Sequence, residues 1–188
     1  AGFTVPRTRV GAFVSLRQDR STGRNVVARL RLCDVPSDEV VVVGAHVDHL
    51  GRGEVGNTLA RAGEEGLVHP GADDNASGVA GVIAVARDLR DLQARGLLHG
   101  ARRDVLFAAW SGEEIGLLGS SHFVKDYADA GAETIHPQVA ANLNLDMIGR
   151  MDRNVIIQGI GSSSIWRREV ERANVSLGLP VALSNETF

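Results

Sequence analysis

Four valines in a row, Val40, Val41, Val42 and Val43, constrain this chain more than any other stretch. An unbroken β-branched run presents apolar side chains to both faces of a strand, so both faces must be covered. Such strands sit inside parallel sheets, and parallel strands need long crossovers, usually helices. The sequence supplies them. Apolar residues at Val79, Val82, Ile83, Ala86, Leu89 and Leu92 fall on one face of a helix, and Gly96 is a suitable residue to end it. Residues 105–110 read as a second buried strand and residues 115 to about 130 as a second helix. A third strand comes next over 139–145 and a fourth over 155–158. Ser162 or Ser163 can cap a helix carrying Trp166, Val170, Ala173 and Leu177 on one face, and residues 180–183 start another strand. Ahead of the valines, residues 10–16 and 26–32 alternate in polarity on either side of Ser21-Thr22-Gly23, which predicts an antiparallel hairpin at a sheet edge. Residues 34–38 read as a turn. Strands alternating with helices predict an α/β sandwich, mostly parallel in its centre.

A chain of 188 residues with 44% apolar content suits one domain with a substantial core. Its net charge of −3 is built from mixed signs, so nothing draws it to nucleic acid or anionic lipid. The single cysteine, Cys33, excludes an internal disulfide. No apolar run approaches the roughly 20 residues of a membrane span. The first residue is Ala1, with no signal-like apolar stretch, so the chain reads as a processed product whose targeting segment is out of view.

Polar residues then mark where each predicted strand ends. His46 and Asp48 come after the valine run in Gly44-Ala45-His46-Val47-Asp48-His49. Glu113 and Glu114 come after the second buried strand, and Asp146 ends the third. Asp73, Asp74 and Asn75 precede the first helix. Ligands of open α/β sheets collect at that edge. Each station has a plainer reading. Asp73 and Asp74 suit a helix start, Glu113-Glu114 an exposed first helical turn, and Asp146 a turn. Taken together they predict a metal site. Asp74 has two carboxylate oxygens and can bridge two cations. One of Glu113 and Glu114 can ligate while the other serves as general base. Asp48 can orient the His46 ring. Asp73 is read as a helix cap or as support behind the site. His and carboxylate ligands suit zinc, and cobalt or manganese also fit. His49 and His69 flank a Gly-rich loop over 49–71 and are placed to line the site, whereas His99, His122 and His136 lie in surface-like contexts. Trp110 and Trp166 fit core positions better than a substrate platform.

The segments 44–51, 71–78, 111–119 and 142–149 resemble the M28 family of metallo-aminopeptidases, in the family's order and approximate spacing. The resemblance spans roughly residue 26 to the end. It implies a three-layer sandwich with a mixed, mostly parallel central sheet, the phosphorylase/hydrolase-like fold of zinc exopeptidases. It implies two zinc ions, with His46 and Asp146 on one, Glu114 on the other and Asp74 bridging. Glu113 would be the general base and Asp48 would support His46. The substrate would be a peptide with a free amino terminus, and the family's usual setting is secreted or periplasmic. The family pattern also places a His ligand of the second zinc, a final strand and a helix near the carboxyl terminus. No residue up to Phe188 matches that His, so the expectation is a single domain over 1–188 that is incomplete at its carboxyl end. Residues 1–32 would hold the edge hairpin and 40–188 the metal-site core. An exposed sheet edge would then invite self-association. Other readings are a non-catalytic binding domain on a peptidase fold, an inactive fragment of an active parent, or a carboxypeptidase or glutaminyl cyclase of the same fold.

Overall fold

The computed structural model describes residues 11–15, 20–32, 39–53, 60–64, 66–127 and 138–186. A four-stranded sheet carries the architecture. It comprises β1 (Val26–Leu30), β2 (Val40–His46), β3 (Asp104–Trp110) and β4 (Val139–Asn144), in the order β1-β3-β2-β4. β2 runs parallel to both β3 and β4, and β1 runs antiparallel to β3. The valines divide between the faces as the period of two requires. Val40 and Val42 join Leu106, Ala108 and Trp110 on one side. Val43 joins Ala45, Val82 and Val105 on the other, with Val41 packed alongside.

Each face acquires its own cover. Helix α1 (Gly78–Ala94) lays Val79, Val82 and Leu89 on the Val43 side. Helix α2 (Leu118–Tyr127) lays Phe123 on the Val42 side, its ring 5.0 Å from that of Trp110. Helix, sheet and helix make three layers around a mostly parallel sheet, as expected. α1 ends as Gly96 predicts. Gly96 takes φ +70, its N–H bonds the Gln93 carbonyl, and Leu97 N–H reaches back to Leu92. None of the helices among the described residues is long and apolar enough to cross a membrane.

Among the described residues, 11–15 and 26–30 do not pair as the expected edge hairpin. Residues 11–15 have no sheet partner and are exposed, Phe13 by 94%. Residues 10 and 16–19, where that first strand begins and ends, lie outside the described residues, as does the turn expected over 34–38. β1 is an antiparallel edge strand, but its partner is β3, with Val26 opposite Ala109 and Leu30 opposite Val105. Side chains pin it at both ends. The Asn25 amide donates to Gly119 O at 2.8 Å and accepts from Ser111 N–H at 3.1 Å. Buried Asp104 accepts from Arg29 Nε at 2.8 Å and from Leu32 N–H at 2.9 Å.

Two helix boundaries and one strand pairing also differ from the sequence expectation. α2 begins at Leu118 rather than at 115, because Gly112, Gly116 and Leu117 adopt positive φ and fold residues 111–117 into a compact turn. Its expected last residues, 128–130, lie outside the described residues. β5 (Val155–Ile157) and β6 (Val181–Leu183) pair with each other in a separate two-stranded parallel sheet. Between them, α3 (Trp166–Asn174) stops before Leu177. The Asn174 amide accepts from Leu179 N–H and donates to Leu179 O, closing a turn through Gly178 at φ +62.

Trp110 ties β3 to α2 and fills the space that Gly44 leaves open, since a Cβ at Gly44 would meet the indole Nε1 at 2.5 Å. Trp110→Ala is expected to cost about 3–5 kcal/mol in urea denaturation, the range for deleting a buried aromatic. Trp110→Phe should cost clearly less, because it keeps most of the contact with Phe123.

Candidate metal centre

β2 delivers the first functional side chain. His46 is its last residue, pairs with Trp110 in the ladder and is only 2% exposed. Its Nδ1–H donates to the backbone carbonyl of Asp48 at 2.9 Å, which leaves Nε2 as the free nitrogen. That nitrogen faces three carboxylates: Asp74 Oδ1 at 3.2 Å, Asp146 Oδ1 at 3.3 Å and Glu113 Oε2 at 4.0 Å. A lone pair aimed at carboxylate oxygens is unfavourable unless something positive lies between them. The His46 pKa reflects the same surroundings. Burial pulls its pKa down, but the Asp48 carbonyl and the charges of Asp146, Glu113 and Asp74 leave it raised overall.

Asp74 sits in a segment that begins with a left-handed Gly71 and leads into α1. Asp74 and Asn75 are not helical there, with φ/ψ of −105/95 and −133/37. The segment is therefore not a plain helix start. Asp74 turns Oδ1 toward His46 and Oδ2 toward His49 Nδ1, 3.6 Å away. Its two oxygens address two different groups.

Glu113 and Glu114 lie in the compact turn between β3 and α2, outside the helix. Glu114 is 8% exposed, and its Oε1 is 2.6 Å from His49 Nδ1. Glu113 remains partly open. Burial raises its pKa, His46 opposes that, and Glu114, Asp146 and Asp74 raise it further. The Asp48 carboxylate accepts from Glu113 N–H at 3.4 Å. Asp48 thus orients His46 through its carbonyl, and its side chain turns to the Glu113 backbone. His46, Asp74 and Glu114 bring ligand atoms within 4.8 Å of one another.

Two supports flank Asp74: Asp73, which the sequence offers as one, and Asn75, which it does not. Asn75, 3% exposed, uses its amide to bracket Asp146. Nδ2 donates to Leu145 O at 3.0 Å, while Oδ1 accepts from Met147 N–H at 3.3 Å and Gly78 N–H at 3.0 Å. Asp73 ties the same two segments on the outside, accepting from Gly149 N–H and Arg150 Nε, both at 2.8 Å. The Arg150 guanidinium, with Gly149 and Ser77, holds the Asp73 carboxyl below its usual range despite some desolvation. The signal for both was their place one residue either side of Asp74. Their partners some 70 residues away gave no local pattern. His49 was placed near the site by position alone. His69 stands edge-on to it, with ring centroids 6.3 Å apart.

The donor set fits zinc on its own geometry. With bonds of about 2.0–2.1 Å in a tetrahedron, two ligand atoms on one zinc lie about 3.3 Å apart. His46 Nε2 is 3.2 and 3.3 Å from the oxygens of Asp74 and Asp146. A buried imidazole with its other nitrogen hydrogen-bonded and two carboxylates at that spacing suits a divalent cation.

Known proteins resemble this chain in sequence and in fold. The sequence model of Peptidase family M28 matches residues 25–186. Leucine aminopeptidase 2 of Trichophyton equinum is 36% identical over 151 residues, covering 80% of this chain and 24% of that protein. An aminopeptidase of Pseudomonas aeruginosa is 32% identical over 159 residues, covering 84% of this chain and 24% of that protein. The chain thus spans about a quarter of the length of these curated relatives. Among solved structures, a zinc aminopeptidase from Bacillus subtilis superposes with a TM-score of 0.58 at 25% identity, covering 85% of this chain and 34% of that one. A Zn-dependent exopeptidase from Parabacteroides distasonis shares the fold, with a TM-score of 0.59 at 15% identity, over 85% of this chain and 56% of that one.

The Asn75 bracket makes a direct prediction. Asn75→Ala leaves Leu145 O and the Met147 and Gly78 N–H groups without their partner, at about 1–3 kcal/mol for each group that stays buried and unsatisfied. Chemical denaturation should show the loss. Zinc titration should show weaker binding, because Asp146 is no longer fixed against Asp74. Wild-type affinity in a folded Asn75→Ala protein would contradict the positioning role.

Proposed function

The chain belongs to peptidase family M28, and from its metal-type centre we propose that it carries the active site of a metal-dependent aminopeptidase. The substrate is a peptide with a free amino terminus, and the reaction hydrolyses its first peptide bond. The observation that carries this reading is the division of Asp74 between two stations. Oδ1 faces His46 beside Asp146, and Oδ2 faces the His49–Glu114 pair. We assign His46 and Asp146 to one zinc and Glu114 to a second, with Asp74 between them. Zinc bound there supplies Lewis-acid polarisation of the scissile carbonyl and acidifies water.

The chain's own residues do the rest. His46 is locked by its Nδ1–H bond to Asp48 O, so Nε2 cannot turn away from the carboxylates. Glu113 is the general base. It is within 4.0 Å of His46 Nε2 yet partly open to solvent, so it reaches both the site and an incoming water. It removes a proton from that water as the oxygen attacks the carbonyl carbon. As the carbon–nitrogen bond breaks, the same carboxyl returns the proton to the leaving amine. Burial and neighbouring acids push the Glu113 pKa up in the metal-free chain. Asp48 fixes the Glu113 backbone and keeps the base over the site. The surrounding carboxylates attract a protonated amino terminus, which favours removal of terminal residues over internal cleavage.

Glu113→Ala is expected to lower hydrolysis of an aminoacyl chromogenic substrate by at least ~10²-fold, the usual contribution of a general base. Zinc content should stay at the wild-type value. Retained hydrolysis in that variant would overturn the assignment. Absence of turnover in zinc-loaded wild-type protein would overturn the aminopeptidase reading itself.

A further inference from the structure

We propose that His49 is a positioning residue for the second cation, holding the Glu114 carboxylate in place through an Nδ1–H hydrogen bond rather than ligating the metal itself. The inference rests on the reading of Glu114 as a zinc ligand. The distances separate the two roles. Donors sharing one tetrahedral zinc lie about 3.3 Å apart, and His46 meets that spacing with Asp74 and Asp146 at 3.2 and 3.3 Å. His49 Nδ1 is 2.6 Å from Glu114 Oε1. That is too short for two ligands of one ion and right for a charge-assisted hydrogen bond. A carboxylate so held loses rotamer freedom before the cation arrives, and its other oxygen stays available.

The surroundings are built to keep the ring there. A Cβ at Gly71 would come within 2.8 Å of His49 Cβ and 3.1 Å of Cγ, so the loop approaches the imidazole only because residue 71 has no side chain. Gly71 has φ +65 as well, a conformation glycine adopts without strain. His49 also lines a cavity of ≈ 370 Å³ together with Val47, His69, Pro70, Gly71 and Val79. With open space beside it, packing alone does not fix the ring, and the bond to Glu114 does. The same cavity means that removing the side chain does not collapse a filled core.

The test compares three variants by zinc competition against a chromogenic chelator, with cobalt absorption as a second readout of the ligand field. In His49→Ala, the affinity of one of the two sites should fall ~10–100-fold, as for loss of a ligand's hydrogen-bonding partner, while the other site is unchanged. In His49→Asn, whose amide nitrogen can occupy the Nδ1 position and donate, affinity should return to within a few fold of wild type. Glu114→Gln should lose the same site more completely. If Glu114→Gln weakens that site and His49→Ala does not, the positioning role is wrong and the zinc assignment stands. If His49→Asn is as weak as His49→Ala, the ring nitrogen is itself a ligand and the proposal fails. Unchanged binding in Glu114→Gln would remove the zinc assignment and the proposal with it.

Discussion

β2 is hydrogen-bonded on both edges to strands running its own way, and the rest of the molecule depends on that. Parallel register brings the carboxyl ends of β3, β2 and β4 to one level, with His46 opposite Trp110 and Gly44 opposite Asn144. The ladders continue just past the strands. Val47 N–H bonds Trp110 O, and Leu145 N–H bonds Gly44 O, both at 2.8 Å. The residues after each strand must therefore emerge along one edge. His46, the Glu113-Glu114 turn and Asp146 are neighbours because of backbone hydrogen bonds, before any attraction among side chains is counted. The four valines make this possible, since only a strand apolar on both faces can take the centre with a helix on each side.

That edge then carries an electrostatic cost. Asp74, Asp146, Glu113 and Glu114 converge on two histidines, and part of the group is shielded from water. Burial and the neighbouring acids raise the pKa of Glu113, and the charges of Asp146, Glu113 and Asp74 raise that of His46. An arrangement without cations would be better served by fewer acids. Neutral tethers hold the acids in place meanwhile. Asn75 joins the start of α1 to the residues on both sides of Asp146 with an uncharged amide, so it adds no further repulsion.

The sequence disclosed what depends on local periodicity and on the ends of elements. The valine run, the apolar face of α1, the Gly96 stop and the polar residue after each buried strand could all be read in order. It concealed what depends on distant partners. Residues 26–30 alternate in polarity, which says strand, but alternation cannot name a partner, and Asn25 and Asp104 tie β1 to β3. Asp73-Asp74-Asn75 has the composition of a helix start, and the non-helical dihedrals that separate Asp74 from α1 leave no trace in composition. The late start of α2 is a similar case. Gly112 and Gly116 were visible, but Leu117 at φ +56 was not predictable from a leucine. That turn keeps Glu113 and Glu114 off the helix, so it decides between a solvated first turn and a site.

The two stations around Asp74 are built differently, and the difference bears on how the site works. His46 ends a central strand, and Asp146 is bracketed by the buried Asn75. Their positions are set by the sheet, whose local opening requires breaking ladder hydrogen bonds. Glu114 and His49 come from loops with left-handed residues at Gly51, Gly71, Gly112, Gly116 and Leu117. Loop carboxylates lack a ladder to hold them, so a neighbouring donor matters more there than at the strand ends. Glu113 sits next to Glu114 in the same turn. Whatever fixes Glu114 therefore also limits how far the proposed base can stray from His46. In this arrangement the sheet supplies one rigid station, and hydrogen bonds from the side chains of His49, Glu114 and Asp48 extend part of that rigidity to the loop that carries the proposed base.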